Sequence, residues 1–187
     1  EKLQKYASLF GLNERTGIEI EEAAPQIANE FPVMAAIGQS NNNYTTVQLA
    51  RYVTAVANEG TVYQYTLLNR LEDSDGNVLQ TFEPQVRNQI DVLDTEEWNA
   101  IHSVMRMVVE NTKEFDGFPI EAAGKTGTAQ QNLKRPNHAL FVGYAPYDDP
   151  EISIATRIAY GYTSHNAAKL ARNVFAYYFN VENEDEL

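Results

Sequence analysis

The amino-acid sequence predicts an α+β fold in which helices cover a mainly antiparallel sheet. Three observations carry that expectation. Apolar residues at helical spacing open and close the chain, and three apolar, strand-like segments stand together between residues 122 and 160. The link between the last two segments, Pro146-Tyr147-Asp148-Asp149-Pro150, is short enough for an antiparallel turn. The 187 residues are 43% hydrophobic and contain no cysteine, which describes one globular unit over 1–187 able to bury a core without disulfides or structural metal.

In chain order, Leu3, Tyr6, Ala7 and Phe10 mark a first helix, and Gly11 supplies its stop. A loop leads to a second helix over 46–58, with Val47, Ala50, Val53, Val56 and Ala57 on one face, Thr45 or Thr46 as its cap, and Gly60 closing it. Segments 65–71 and 78–82 read as strands joined by the turn-forming run Asp73-Ser74-Asp75-Gly76-Asn77, which makes 62–83 an expected peripheral hairpin. Asp94 and Glu97 form a capping box ahead of Trp98, Ile101, Met105, Val108 and Val109, the stripe of a helix ending near Asn111. Strands are expected over 122–130, 139–145 and 152–160. A final helix over 167–179 presents Leu170, Val174, Phe175 and Tyr178, ahead of an acidic tail, 180–187, expected to fray.

Charge and composition exclude several functions. With 14 Lys and Arg against 26 Asp and Glu the net charge is −12, so the chain is not a general nucleic-acid binder. The lack of cysteine rules out a thiol nucleophile and a cysteine-based zinc site, and neither a leader peptide nor an apolar run near 18 residues is present. The charge is unevenly spread: 31–58 and 122–147 contain no acid at all, yet hold Arg51, Lys125, Lys134 and Arg135.

The strongest local motif is Gly124-Lys125-Thr126-Gly127-Thr128-Ala129-Gln130. On a strand, Lys125 and Gly127 face one side and Thr126 and Thr128 the other. Gly127 lets a ligand or another backbone lie flat against the strand, and an edge strand offers free backbone groups to an extended peptide. Thr128 has a hydroxyl for an anionic group and an N–H for an oxyanion.

With its neighbours, this motif resembles the penicillin-binding protein transpeptidases, the serine enzymes that cross-link peptidoglycan, and most of all their class B members. Four stretches carry the resemblance in family order: Phe10-Gly11-Leu12 through Thr16-Gly17-Ile18-Glu19-Ile20; Ala36-Ile37-Gly38-Gln39 through Thr45 and Gln48-Leu49-Ala50; Ala123 to Gln130; and His138 to Pro146 with Asp149-Pro150. The family uses three motifs, S-x-x-K, S-x-N and K-T-G, and only K-T-G is securely here. No serine has Lys three positions later: Ser8, Ser40, Ser74, Ser103, Ser153 and Ser164 are followed at that spacing by Gly11, Asn43, Asn77, Arg106, Thr156 and Ala167. The resemblance therefore implies the later part of a transpeptidase domain, without its nucleophile and inactive alone.

Carried over by position, Lys125 supplies positive potential, Thr126 and Thr128 help bind the donor carboxylate of a stem peptide or a β-lactam, the Thr128 N–H forms half of an oxyanion hole, and Gly127 permits close approach. Lys125 and Thr128 are thus the expected catalytic residues, and Thr126, Gly127 and Thr128 the substrate-binding ones. The implied reaction is acyl transfer from a D-Ala-D-Ala stem peptide through a serine acyl-enzyme, with β-lactams as acylating inhibitors. The implied parent is anchored at the extracytoplasmic face of the bacterial membrane, with the upstream part of the domain as partner. Loss of that part is expected to uncover apolar sheet surface and favour self-association. A β-lactam sensor and a catalytically dead scaffold remain alternative readings.

Other chemistry-bearing residues read as structural. Ser40-Asn41-Asn42 and Ser164-His165-Asn166 match S-x-N by letters, and Ser74-Asp75-Gly76 resembles a variant, but all three follow the Thr-Gly-Ile region that the family's element precedes. Ser40 stands where family members usually carry glycine, and Thr46 where they carry proline. His102, His138 and His165 are expected to make structural hydrogen bonds, and the pairs Glu21-Glu22 and Asp148-Asp149 to be solvated. No metal cluster and no cofactor motif emerges.

Overall fold

The computed structural model describes residues 2–181. Helix α1 (Lys2–Leu9) stops at Gly11, whose φ of +73° is in the left-handed region. Substitution there is blocked twice, because a Cβ on Gly11 would also lie 2.6 Å from Nη2 of Arg51. A short helix α2 (Pro32–Ala36), which lacks the length to show periodicity, stands in the loop that follows.

Helix α3 (Thr46–Ala57) begins at a complete capping box: Thr45 Oγ1 accepts from the Gln48 N–H at 3.2 Å, and Gln48 Oε1 accepts from the Thr45 N–H at 2.8 Å. Thr45 is therefore the cap, and Thr46 takes the first helical position, where proline is at home because its missing N–H is not needed. The buried face of α3 is more polar than its apolar spacing predicts, comprising Gln48, Arg51, Val53, Ala55 and Val56. Arg51 is only 1% exposed and donates to the carbonyls of Gly11, Glu14 and Arg15, while Gln48 Nε2 donates to Glu14 O at 2.9 Å. A guanidinium has five donors and no acceptor, so it can satisfy several turn carbonyls that an apolar side chain would orphan.

Glu22 joins the same region rather than being solvated. It is 8% exposed, and its Oε2 accepts from Thr16 N at 2.9 Å, Thr16 Oγ1 at 2.8 Å and Gly17 N at 3.2 Å. The carboxylate thereby pins the Thr16-Gly17 turn, a role invisible at the level of neighbouring residues.

Strand β1 (Thr61–Gln64) pairs antiparallel with β4 (Gln85–Gln89), and β2 (Arg70–Glu72) with β3 (Val78–Thr81). The hairpin expected over 62–83 therefore contracts to β2 and β3. Val62 belongs to β1 and is buried with Ala55, Ile90 and Trp98, and residues 65–68 leave the sheet to bind Glu19, whose Oε2 accepts from Leu67 N at 2.8 Å. Helix α4 (Thr95–Glu110) opens on the Asp94–Glu97 capping box and ends at Asn111, as the sequence indicates.

The central sheet has the order β5-β6-β7, built from β5 (Ala123–Ala129), β6 (His138–Ala145) and β7 (Ile152–Ile158), all antiparallel. One face packs Ala123 and Tyr144 against Val53 of α3, with Met105 of α4 alongside. The other face packs Ala139, Phe141 and Ala145 against α5 (Ser164–Tyr178) and Phe115. Helix α5 begins three residues before its expected start and docks by Ala167, Ala168, Ala171, Phe175 and Ala176. Leu170, Val174 and Tyr178 of the expected stripe are 37–45% exposed. Alanines let the helix axis come close to a sheet already filled by Phe141, which larger side chains would hold away.

This is the α+β arrangement the sequence predicts, helices covering an antiparallel sheet. Its exposed large apolar side chains include Phe31, Val33 and Ile37 around α2, Leu71 and Leu79 on the hairpin, Leu133 before β6, and Leu170 and Tyr177 on α5, while Leu140, Val142 and Ile154 in the central sheet are partly buried. Of the expected acidic tail, 182–187 lies outside the described residues.

Candidate active site

Strand β5 is an edge of the central sheet, with β6 on one side only. Its first residues, Ala123 and Gly124, are buried, whereas Lys125 and Thr128 are exposed and Thr126 and Gly127 half-buried. The alternation expected from the sequence holds. Ala123 lies on the α3 face, so Lys125 and Gly127 share that face, and Thr126 and Thr128 share the α5 face.

The ladder fixes which backbone groups are free. The carbonyls of Ala123 and Val142 point between β5 and β6, because Cβ atoms added at Gly143 and Gly124 would lie 2.6 and 2.8 Å from them. Antiparallel pairing alternates, and the register runs without a shift to Ala129↔His138. The N–H and C=O groups of Gly124, Thr126 and Thr128 therefore turn toward the open edge. Lys125 Nζ already uses one of them, donating to the Thr126 carbonyl at 2.8 Å.

The two glycines of the motif have different causes. A Cβ on Gly124 would collide with the Phe141 ring, 2.8 Å from Cε2, so packing dictates glycine there. A Cβ on Gly127 would meet only Leu140, at 3.4 Å from its Cβ, an ordinary contact. Packing does not require glycine at 127; a ligand lying flat on the strand would.

The remaining candidates resolve as structural. Ser40 has φ of +79°, which explains the family's glycine at that place, and its Oγ donates to Glu30 O at 2.6 Å. Ser74 lies in the turn of the β2–β3 hairpin, and Ser164 opens α5. His102 Nε2 bonds Val56 O at 2.7 Å, linking α4 to α3. His165 Nδ1 bonds Glu114 Oε2 at 2.9 Å, an acid distant in sequence that local spacing does not reveal. His138 accepts from Tyr160 N at 3.2 Å and contacts Gln131 Oε1 at 2.9 Å, and burial together with the nearby Arg157 guanidinium pushes its imidazole below the usual range. Among the described residues, no group of three or more acids and histidines is placed to hold a metal.

Residues 1–176 match the penicillin binding protein transpeptidase domain. The chain belongs to the penicillin-binding protein transpeptidase family. Among its relatives, peptidoglycan D,D-transpeptidase MrdA of Haemophilus influenzae is 31% identical, over 96% of this chain and 33% of its own length. Penicillin-binding protein 2A of Bacillus subtilis is 26% identical, over 100% of this chain and 30% of its own length. The chain thus spans about a third of the length of these curated relatives. Among solved structures, the D,D-transpeptidase domain of a peptidoglycan glycosyltransferase from Eggerthella lenta superposes with a TM-score of 0.82 at 24% identity, covering 96% of this chain and 48% of that one. An imipenem acyl-enzyme of penicillin-binding protein A from M. tuberculosis gives 0.81 at 22% identity, covering 92% and 40%. These likenesses establish the transpeptidase fold.

Proposed function

We propose that this chain is the K-T-G-bearing part of a peptidoglycan D,D-transpeptidase that cross-links stem peptides through a serine acyl-enzyme and is acylated by β-lactams. The open, exposed edge of β5, carrying Lys125, Thr126, Gly127 and Thr128 in a chain of this family, supports the reading. A serine upstream of this chain attacks the penultimate D-Ala carbonyl. The terminal D-Ala leaves, and an amine from a neighbouring strand takes the acyl group.

The strand's chemistry fits each step. The Thr128 N–H, turned to the edge, donates to the oxyanion that forms on the attacked carbonyl, and such a donor lowers the barrier by roughly 3 kcal/mol. The hydroxyls of Thr126 and Thr128 hold the donor carboxylate, which a positive Lys125 stabilises, and Gly127 leaves room for the peptide. No cofactor enters the reaction. The parent acts at the extracytoplasmic face of the membrane; among the described residues no helix is long and apolar enough to cross one. Alone, the chain is inactive, and its exposed apolar patches on α2, the hairpin and α5 favour self-association.

The test is acylation of the full-length protein by a fluorescent penicillin. Lys125→Ala should slow it by about 10²-fold, the scale of losing one electrostatic contact in such a site. An unchanged rate removes Lys125 from the site, and no acylation of wild type turns the reading toward the scaffold alternative.

A further inference from the structure

One pair of rings holds both ends of the connection that follows the K-T-G strand. His138 stands opposite Ala129, the residue after Thr128, so its side chain shares the sheet face of Lys125 and Gly127. It is 6% exposed, and its ring packs on Tyr160 with centroids 5.0 Å apart. His138 holds Gln131, at the start of the connection, through a 2.9 Å contact from Nε2 to Oε1. Tyr160 holds Arg135, toward its end, whose Nη1 donates to the phenol oxygen at 2.7 Å. Tyr160 itself has φ of +56°, a left-handed backbone that a bulky residue keeps only where its surroundings impose it.

These partners fix the protonation of the imidazole. The Tyr160 N–H lies 3.2 Å from Nδ1 and can only donate, so Nδ1 is the acceptor. Nε2 then carries the proton and donates to Gln131 Oε1, and the ring is neutral. A second proton, on Nδ1, would find no acceptor: it would face the Tyr160 N–H, with Arg157 Nη2 3.4 Å away. Among the described residues, the charged groups that contact the ring pair are both cations, Arg157 from β7 and, on the far side of the Tyr160 phenol, Arg135 from the connection; β5 contributes only Ala129, and no carboxylate pairs with His138. Burial and the Arg157 charge accordingly hold the imidazole below its ordinary value.

We propose that neutral His138 is a positioning residue for acylation: it clasps the β5–β6 connection to the segment after β7, so that the Thr128 end of the K-T-G strand keeps its place, and a proton on Nδ1 opens the clasp. The role of the strand in acylation rests on the transpeptidase reading above; the clasp itself does not. Opening removes the bond that restrains Tyr160 in its left-handed conformation and sets the cationic ring against Arg157, which frees Gln131 three residues beyond Thr128. An oxyanion donor displaced by a fraction of an ångström loses much of its effect. The clasp is complete above the ordinary imidazole value of about 6.5 and is lost as pH falls through the depressed one.

Two readouts on the full-length protein, taken from about pH 8 to about pH 5, test this: the rate of acylation by a fluorescent penicillin, and hydrogen-exchange protection of residues 131–137 corrected for intrinsic exchange. In wild type, protection of 131–137 should fall below about pH 6.5, and acylation should fall about tenfold over the same range. His138→Phe keeps the ring packing and loses both bonds, so it should acylate about tenfold more slowly at pH 8 and show no such limb. His138→Asn restores an acceptor for the Tyr160 N–H without a titrating group, and should recover much of that rate, again without the limb. Protection that does not change with pH, or an acid limb in His138→Phe equal to that of wild type, overturns the clasp. The exchange series needs no variant, so misfolding of either substitution leaves the proposal open to refutation. Penicillin acylation with pH-independent protection rejects the clasp alone. Protection that falls with pH in a protein that penicillin does not acylate upholds the clasp and rejects the transpeptidase reading.

Discussion

Gly124 lies face to face with Phe141: the ring occupies the space a side chain at 124 would need, with Cε2 2.8 Å from the position of a Cβ. The K-T-G strand is thereby seated against the core by one glycine, while a second, Gly127, stays clear of packing constraints. Gly124→Ala is expected to lose roughly 2–3 kcal/mol, because overpacking a buried ring displaces strand and side chain together. Gly127→Ala is expected to stay within about 0.5 kcal/mol of wild type in urea unfolding. In the full-length protein the same Gly127→Ala change should still slow penicillin acylation at least tenfold. A Gly127→Ala protein that acylates normally would show that no ligand lies flat on the strand.

Tyr144, fully buried between the sheet and α3, has a hydroxyl without a hydrogen-bond partner, and burial raises its pKa. An unsatisfied buried hydroxyl costs on the order of 1–3 kcal/mol. Tyr144→Phe keeps the ring's packing and removes that cost. Its urea midpoint should equal or exceed that of wild type, and a loss above about 1 kcal/mol would mean that the hydroxyl has a partner in solution.

Glu14 gives the fold an acid-sensitive contact. The hydrogen bonds from Arg87, at 3.0 and 2.8 Å, hold its carboxyl below the ordinary range against the opposing effect of burial, with the charges of Arg87 and Arg51 adding to the shift. A depressed folded pKa means that the stabilisation is complete above the unfolded value of about 4.3 and disappears as pH falls through the folded one. Wild type should therefore be more stable than Glu14→Gln at pH 6–7, and the two should converge as pH falls through the depressed folded pKa. A difference independent of pH would assign the effect to shape rather than charge.

Local signals in the sequence lead to local structure. The capping boxes Thr45–Gln48 and Asp94–Glu97 mark two helix starts because each is completed within three residues. The antiparallel β5–β6–β7 sheet follows from apolar runs and a short link. What stayed hidden depends on distant partners. Val62 and Ile90 are isolated apolar residues in polar surroundings, so the β1–β4 pair has no alternation to announce it. Glu22 reads as a solvated charge, and Arg51 only as a cation in an acid-free stretch, until the turn at 11–17 folds around them. Helix α5 was legible, but its docking face was not, since the sheet favours small alanines over the larger Leu170 and Val174. At the site, the K-T-G strand was readable as a motif, whereas its open edge required the ladder.

The proposed function is a division of labour, in which this chain provides the strand wall of the site and a serine outside it is the nucleophile. The direct measurement is intact-mass and peptide-mapping mass spectrometry after treatment with penicillin, on these 187 residues and on the full-length protein. The predicted result is no adduct on the chain alone and one adduct on the full-length protein, at a serine upstream of Glu1. A covalent penicillin adduct on any serine of this chain, Ser40 or Ser164 included, would contradict it.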